Sequence, residues 1–119
     1  MKLTEVGELR ESVNTVLGTN LPTLKIYQSE GLKTHLLKRK HYDCLKHLPD
    51  IPEIIANPDY IGVNPKEPNS VEFIKVYDKN ISVGVKVDAS GDYLYVATMY
   101  SVQASKIGRR LHSGRLKMP

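Results

Sequence analysis

Three segments in the second half of the chain alternate apolar and polar residues with a period of two. They read VEFIKVY, ISVGVKV and YLYVATMY, and the short turn sequences DKN and DASGD separate them. Such alternation over four to eight residues is typical of β-strands, and connections this short join antiparallel neighbours. The pattern predicts a three-stranded antiparallel meander, which any fold of this chain must contain.

Helical patterns precede and follow the meander. Residues 1–18 place apolar side chains at spacings of three and four and end at Gly18, which predicts an amphipathic helix. A second helix should stop before Pro49, because proline disfavours helical geometry at the preceding residue. DIPEIIANP and SVQASKIGRRL predict two further helices, and short strands are expected around residues 24–28 and at NPDYIGVN. We therefore expect an α+β domain whose N-terminal helices pack on the antiparallel meander sheet and whose C-terminal helix closes it.

Length and composition limit the class of protein. A chain of 119 residues is within the usual size of one domain, so we expect a single core over residues 1–119. Its 40% hydrophobic and 25% charged residues are ordinary for a globular protein and argue against disorder. No apolar run reaches the ~18 residues of a membrane span, and the first residues lack the apolar stretch of a signal peptide. We expect no membrane partner and a site of action in the cytoplasm, its own or that of a target cell.

Several site chemistries can be set aside. The single cysteine, Cys44, excludes an internal disulfide and a cysteine-based zinc cluster. His41 and His47 are spaced too loosely from Asp43 and Asp50 for a zinc site, and neither HExxH nor CxxC occurs. GxSxG and P-loop sequences are also missing. The sequence predicts no metal and no cofactor.

Positive charge is concentrated at the end of the chain. The net charge is +4, and the last fourteen residues, KIGRRLHSGRLKMP, hold five Lys or Arg and no acid. A basic bias of this kind favours a polyanionic partner, either nucleic acid or an acidic protein.

Residues 34–47, THLLKRKHYDCLKH, contain three of the four histidines and four Lys or Arg. At 100° per residue, His41 shares an inward arc with Leu37 and Cys44, while His35 lies almost opposite among the cationic residues. A histidine on an apolar seam is more often structural, and a cationic face is more often merely solvated. The alternative is a site that holds a phosphate and moves protons, which both histidines can join only if the helix ends or bends between them.

The register of the meander decides which polar residues share its open face. If DASGD forms a five-residue loop, Ser82 pairs with Thr98, and Gly84 and Lys86 lie on the same face; one residue fewer reverses the faces. In the first strand, either Glu72 or Lys75 faces the open side, but not both.

The order of these pieces resembles the phage-type branch of the nuclease superfamily that links barnase, EndoU, the colicin tRNases and RelE (BECR). The resemblance rests on THLLKRKH, IPEIIANPDYIG, the meander, and ATMYS before a basic helix, and it covers about residues 24–110. Residues 1–20 are then either part of the domain or the end of a longer carrier, and residues 111–119 form a basic tail.

The resemblance implies a small, toxin-like, metal-independent ribonuclease in which the ribose 2′-OH attacks the neighbouring phosphate, with tRNA among the candidate substrates. Such a reaction needs a base, an acid and donors to the phosphate oxygens, and histidine suits the first two roles. The catalytic candidates are His41, His35, Thr98, Tyr100, Lys86, Lys75 and Glu72. The RNA-binding candidates are Lys38, Arg39, Lys46, Arg109 and Arg110. An acidic immunity or antitoxin protein that covers the basic surface is the implied protein partner.

A noncatalytic domain is the competing interpretation. The same basic α+β domain could bind RNA or protein with structural histidines, as a degenerate member of the superfamily. Cleavage of RNA separates the two interpretations, because a binding module shows salt-sensitive affinity without turnover.

Overall fold

The computed structural model describes residues 2–119, which form a mixed seven-stranded sheet with helices on both faces. The strands are β1 (Leu3–Glu8), β2 (Lys25–Ser29), β3 (Tyr60–Gly62), β4 (Ser70–Val76), β5 (Asn80–Val87), β6 (Leu94–Val102) and β7 (Leu116–Lys117). The helices are α1 (Glu11–Leu17), α2 (Leu32–Lys38), α3 (Tyr42–Leu45), α4 (Ile51–Ala56) and α5 (Ala104–Ser113). The strand order is β1-β2-β6-β5-β4-β3-β7. The α+β prediction is confirmed, and no helix among these residues is long and apolar enough to span a bilayer.

The two faces of the sheet bury different clusters. One face packs the main core against α1, α2, α3 and α4, and the meander contributes Val71, Phe73, Val83, Val85 and Met99 to it. On the other face, α5 inserts Ile107 against Ile74, Val102 and Leu116. Because α5 covers only one end of that face, the other end is left free for a cleft.

The predicted meander is confirmed, but the register of β5 with β6 differs by one residue near the turn and by two residues beyond a bulge. Val87 pairs with Leu94 instead of Tyr93, and Ala97 is an extra residue that forms a bulge, so Gly84 lies opposite Thr98. Ser82 pairs with Tyr100 instead of Thr98 and is fully buried. A bulge increases the local twist and redirects the side chains that follow it. Gly84, Lys86 and Thr98 therefore lie on the open face, as expected. Ser82 lies on the same face, but it is buried and does not line the cleft.

The prediction of a helix over residues 1–18 is wrong for its first half. Leu3–Glu8 form the edge strand β1, antiparallel to β2, and the helix begins only at Glu11. A bulge between Glu5 and Gly7 interrupts the alternation of this strand, so the buried Val6 and Leu9 are three residues apart. That spacing imitates a helical period. The helix does end at Gly18, which adopts the left-handed conformation as its C-cap.

The prediction of one continuous basic helix is also wrong. The chain leaves α2 after Lys38, Lys40 adopts a positive φ of 58°, and α3 starts at Tyr42. The amide of His41 donates to the carbonyl of Leu36 at 2.9 Å, which ends α2. Leu36 is fully buried and Leu37 is 43% exposed, so the inward face differs from the one that an unbroken helix predicts.

Gly62 in β3 lies directly against β7, and its replacement should lower the stability of the fold. A Cβ there would lie 2.5 Å from the carbonyl oxygen of Arg115 and 2.6 Å from a methyl group of Leu116. We expect Gly62→Ala to lower the free energy of unfolding by about 1–3 kcal/mol, because forced overpacking displaces β7. Urea denaturation measures this. In the control Gly108→Ala, nothing lies within 4 Å of the added Cβ, and a helical Ala should add about 0.5–1 kcal/mol. Equal stabilities for the two variants would contradict the close approach.

Candidate active site

A cleft of about 530 Å³ opens on the sheet face beside α5. Its walls come from the end of α2, the segment between α2 and α3, the strands β4, β5 and β6, and the loop after β3. Polar side chains predominate in it. The lining residues are His35, Arg39, His41, Asn64, Glu67, Ser70, Glu72, Gly84, Lys86, Ala97, Thr98 and Tyr100.

The break after α2 brings both predicted histidines into this cleft. An unbroken helix would have separated His35 and His41, but the left-handed Lys40 turns the chain so that both line the same wall. This wall contacts an edge of β6 that β2 does not cover, because β2 pairs with β6 only at Leu94 and Tyr95. Beyond that point α2 and α3 lie along the outer edge of β6.

His41 is fixed by a hydrogen bond to the strand edge. Its Nδ1 lies 2.8 Å from the carbonyl oxygen of Met99. A carbonyl only accepts hydrogen bonds, so Nδ1 must carry the proton, and Nε2 of the neutral ring keeps its lone pair. The ring also lies near Tyr100, with centroids 6.4 Å apart. The strand edge thus selects one tautomer of a half-buried histidine.

The floor of the cleft is shaped by Gly84. A Cβ at this position would lie 3.1 Å from the methyl group of Thr98 on the neighbouring strand. The missing side chain gives Thr98 room across β5, beside Lys86. At the rim, the ammonium of Lys86 pairs with Glu67 at 3.2 Å, and both side chains are partly exposed. An exposed pair of this type contributes only about 0–1 kcal/mol, so another anion can displace Glu67.

Glu72 is a buried carboxylate at the end of the cleft nearest α5. It is 4% exposed, and its Oε1 accepts hydrogen bonds from Arg115 at 2.8 Å and from the hydroxyl of Tyr100 at 3.2 Å. Nη1 of Arg110 lies 3.9 Å from the other oxygen. Oε2 of Glu72, Nη1 of Arg110 and Nε of Arg115 are buried without a hydrogen-bond partner among the described residues. Two guanidinium groups therefore share one carboxylate.

Some sequence predictions lie outside the cleft. Of Glu72 and Lys75, only Glu72 faces it; Lys75 points to the opposite face, where it donates to the carbonyl of Asn57 at 2.8 Å. Lys46 also lies outside, because it donates to Asp78 at 2.7 Å. That hydrogen bond lowers the pKa of Asp78 to about 2.

Only some of the cationic candidates lie in or next to the cleft. Arg39 lines the cleft, whereas the exposed Lys38 does not. Arg110 reaches Glu72 from α5, and Arg109 lies in a separate groove.

Arg115 is the main residue that the sequence analysis missed. Residues 111–119 were expected to be a basic tail, but after the left-handed Gly114 the chain turns back and Leu116–Lys117 pair with β3. The glycine after a helix followed by the alternating RLK was the available signal. Ser70, Asn64 and Glu67 were missed because their approach to the cleft depends on the path of the loop after β3.

The short helix α3 is held against the sheet by Asp43 and Cys44. A hydrogen bond from Ser101 and the ammonium of Lys79, 3.3 Å away, lower the pKa of Asp43. A carboxyl whose folded pKa is lowered stabilises the fold above its unfolded value of about 3.9, and this contribution is lost on acidification. These contacts fix the helix that follows His41.

Cys44 should be unreactive in the native protein. It is fully buried, and the loss of hydration, together with the nearby Asp43, raises the pKa of its thiol to about 11. Because a raised pKa favours the unreactive thiol, we expect labelling by a thiol reagent at pH 8 to be at least about 100-fold slower than in urea. Absorbance or mass measurement follows the reaction. Rapid labelling without denaturant would contradict the burial of α3.

Within residues 2–119, no group of three His, Cys, Asp or Glu side chains is arranged to hold a metal ion.

Comparison with known proteins gives one match. A family model described as phage-Barnase-EndoU-ColicinE5/D-RelE like nuclease3 matches residues 4–109. No curated protein and no solved structure matches the chain. The matched range confirms the resemblance found in the sequence and also includes β1 and α1. Arg110 and Arg115 lie beyond its end.

Proposed function

The chain belongs to the phage-Barnase-EndoU-ColicinE5/D-RelE-like nuclease 3 family, whose substrates are nucleic acids, and we propose that it is a metal-independent endoribonuclease. The reaction is attack of a ribose 2′-OH on the adjacent phosphate, which releases the 5′-oxygen and leaves a 2′,3′-cyclic phosphate. One observation carries the proposal: two histidines and several phosphate donors line one cleft, and the strand edge fixes the tautomer of one of these histidines.

We assign the role of base to His41. The base must be neutral and must present a lone pair, and the bond from Nδ1 to the carbonyl of Met99 leaves Nε2 in that state. As the 2′-OH attacks, Nε2 takes its proton, and the resulting imidazolium keeps its hydrogen bond to the carbonyl. The fixed tautomer means that no ring rearrangement precedes the proton transfer.

His35 is the proposed acid. It is half-buried in the same cleft and makes no hydrogen bond to another side chain among residues 2–119, so solvent can supply its proton. Protonated, it donates to the departing 5′-oxygen as the bond to phosphorus breaks. Arg39, on the same wall, adds positive charge that favours the phosphate.

The donors to the phosphate come from the strands. We propose that the hydroxyl of Thr98 orients the phosphate and that Lys86, released from Glu67, stabilises the charge that develops on its oxygens. Tyr100 borders this set, and its one hydroxyl proton is directed to Glu72 and not to the phosphate. Its ring lies beside His41 and can stack on a base of the RNA.

We propose that Glu72 anchors the site and does not act as the base. Its Oε1 is already shared by Arg115 and Tyr100, and its Oε2 is buried from solvent. A carboxylate held in this way keeps two guanidinium groups and a tyrosine in position. Such support is what precise alignment of donors requires.

Partners and location follow from this function. RNA is the substrate, with tRNA as one candidate, and Lys38 and Arg39 add salt-sensitive contacts to its backbone. An acidic immunity or antitoxin protein would be attracted to the same basic surface and block the cleft. The cytoplasm, where RNA is abundant, is the proposed site of action.

The test is incubation of the purified chain with total bacterial RNA in EDTA, followed by a denaturing gel and analysis of the new ends. Discrete products with 2′,3′-cyclic phosphate ends, formed at the same rate with and without the chelator, would support the proposal. Cleavage only when Mg²⁺ is added back would overturn metal independence. Intact RNA from a folded protein would favour the noncatalytic binding module.

A further inference from the structure

A second, shallower groove lies next to the cleft, between α5 and the turn that leads to β7. It measures about 370 Å³ and is lined by Lys106, Arg109, Arg110, Ser113 and Arg115. Four of these five side chains are cationic and the fifth is a hydroxyl, so every lining side chain can donate a hydrogen bond.

The positive charge of this groove is largely uncompensated. Glu72 is the one carboxylate among the described residues that reaches it, and it is engaged by Arg115 and Arg110. Four cations and one carboxylate leave a net charge of +3. Lys106 and Arg109 are exposed and form no ion pair within residues 2–119, and the sequence contains no acid from Tyr93 to its end.

The stability of α5 does not explain this charge. The negative end of a helix dipole favours cations in the last turn, which accounts for Arg110 and His112. Lys106, however, lies in the first turn, where the dipole disfavours a cation. Clustering like charges without acids costs free energy, and an anionic ligand would offset that cost.

The groove and the cleft are neighbours. Arg110 and Arg115 line the groove and extend to Glu72, which lines the cleft. A strand whose reacting phosphate lies in the cleft can therefore pass over this common wall. We propose that the groove binds a second phosphate of the same RNA strand, one that flanks the phosphate being cut. This inference rests on the proposed function.

The first experiment measures binding without chemistry. The probe is a fluorescent, 2′-O-methylated RNA oligonucleotide, which lacks the attacking hydroxyl and cannot be cut. Its affinity is measured by anisotropy over a range of salt concentrations for the wild type and for Lys106→Ala/Arg109→Ala. Arg110 and Arg115 are left in place because they pair with Glu72. The control, Lys2→Ala/Lys33→Ala, removes the same charge from exposed positions that line neither the cleft nor the groove.

We expect the groove variant to reduce the magnitude of the slope of log affinity against log salt by about 0.7–1, because the contact with one phosphate is lost. The control variant should keep the slope of the wild type. Equal changes in the two variants would overturn the proposal, since they would reflect total charge alone. An unchanged slope in the groove variant would overturn it as well.

The second experiment compares substrates of two lengths. A dinucleotide has one phosphate and cannot occupy both sites, whereas an oligonucleotide can. We expect the groove variant to lower kcat/KM for the oligonucleotide about tenfold more than for the dinucleotide. Equal losses would argue against a flanking site. If the wild type binds the methylated strand but cuts no RNA, the nuclease proposal is refuted, and the binding data alone decide whether the groove holds a phosphate. If the wild type does not bind the strand, the phosphate site in the groove is refuted.

Discussion

Replacing His41 with alanine is expected to reduce RNA cleavage by about 10²–10⁴-fold while the fold is kept. Positioned proton transfer contributes an acceleration of this size, and the variant loses the group that we propose as the acceptor of the 2′-OH proton. Initial rates on a fluorescent RNA oligonucleotide measure the change. The stability cost should be only about 1 kcal/mol, because one hydrogen bond, to the carbonyl of Met99, is removed from a half-buried position.

His112→Ala is the matched control for this experiment. His112 is exposed on α5 and lines neither the cleft nor the groove, so its removal should leave the cleavage rate unchanged. Circular dichroism and thermal denaturation establish that both variants fold. If His41→Ala retained activity within about threefold of the wild type, another group would have to be the base.

Replacing Glu72 with alanine should have the largest effect on stability, a loss of about 3–5 kcal/mol. The change leaves Arg110 and Arg115 without their carboxylate, and removing one partner of a buried ion pair has a cost of this order. Since small domains are stable by only about 5–15 kcal/mol, much of the stability would be lost. Urea denaturation gives the free energy of unfolding.

Three further variants help to interpret that loss. Glu8→Ala removes an exposed carboxylate that pairs with Lys25, and it should change stability by no more than about 1 kcal/mol. In Glu72→Ala/Arg115→Ala, the uncompensated charge is smaller, so the double variant should be more stable than the sum of the single changes predicts. A stable Glu72→Gln protein without activity would instead assign Glu72 as the base.

The elements with strong local patterns could be predicted from the sequence, but the exact strand register could not. The meander, α4 and α5 all follow from periodicity and from Gly or Pro signals. The register depends on the bulge at Ala97, and a small apolar residue fits an alternating pattern whether or not it is bulged. The partner assigned to Ser82 was therefore wrong and its burial was not predicted, although Ser82, Gly84 and Thr98 do lie on one face of the sheet.

The sequence predicts which residues could form the site, but it does not predict how they are arranged. His35 and His41 attract notice in any reading of residues 34–47, but the turn that brings them together needs a lysine at positive φ, and lysine is not a residue that signals this conformation. Likewise, Arg115 contacts Glu72 only because β7 pairs with β3, a long-range contact that no local pattern encodes.

The parallel pairing of β2 with β6 has a consequence for the order in which the protein folds. It joins Ile26 to the distant Leu94, and the contact from His41 to Met99 spans 58 residues. The β4–β5–β6 meander closes through short turns, so it can form early, whereas distant contacts must first overcome the entropy of a long loop. We expect the two walls of the cleft to meet only in the last stages of folding, so that a partly folded chain holds the meander but not yet the cleft.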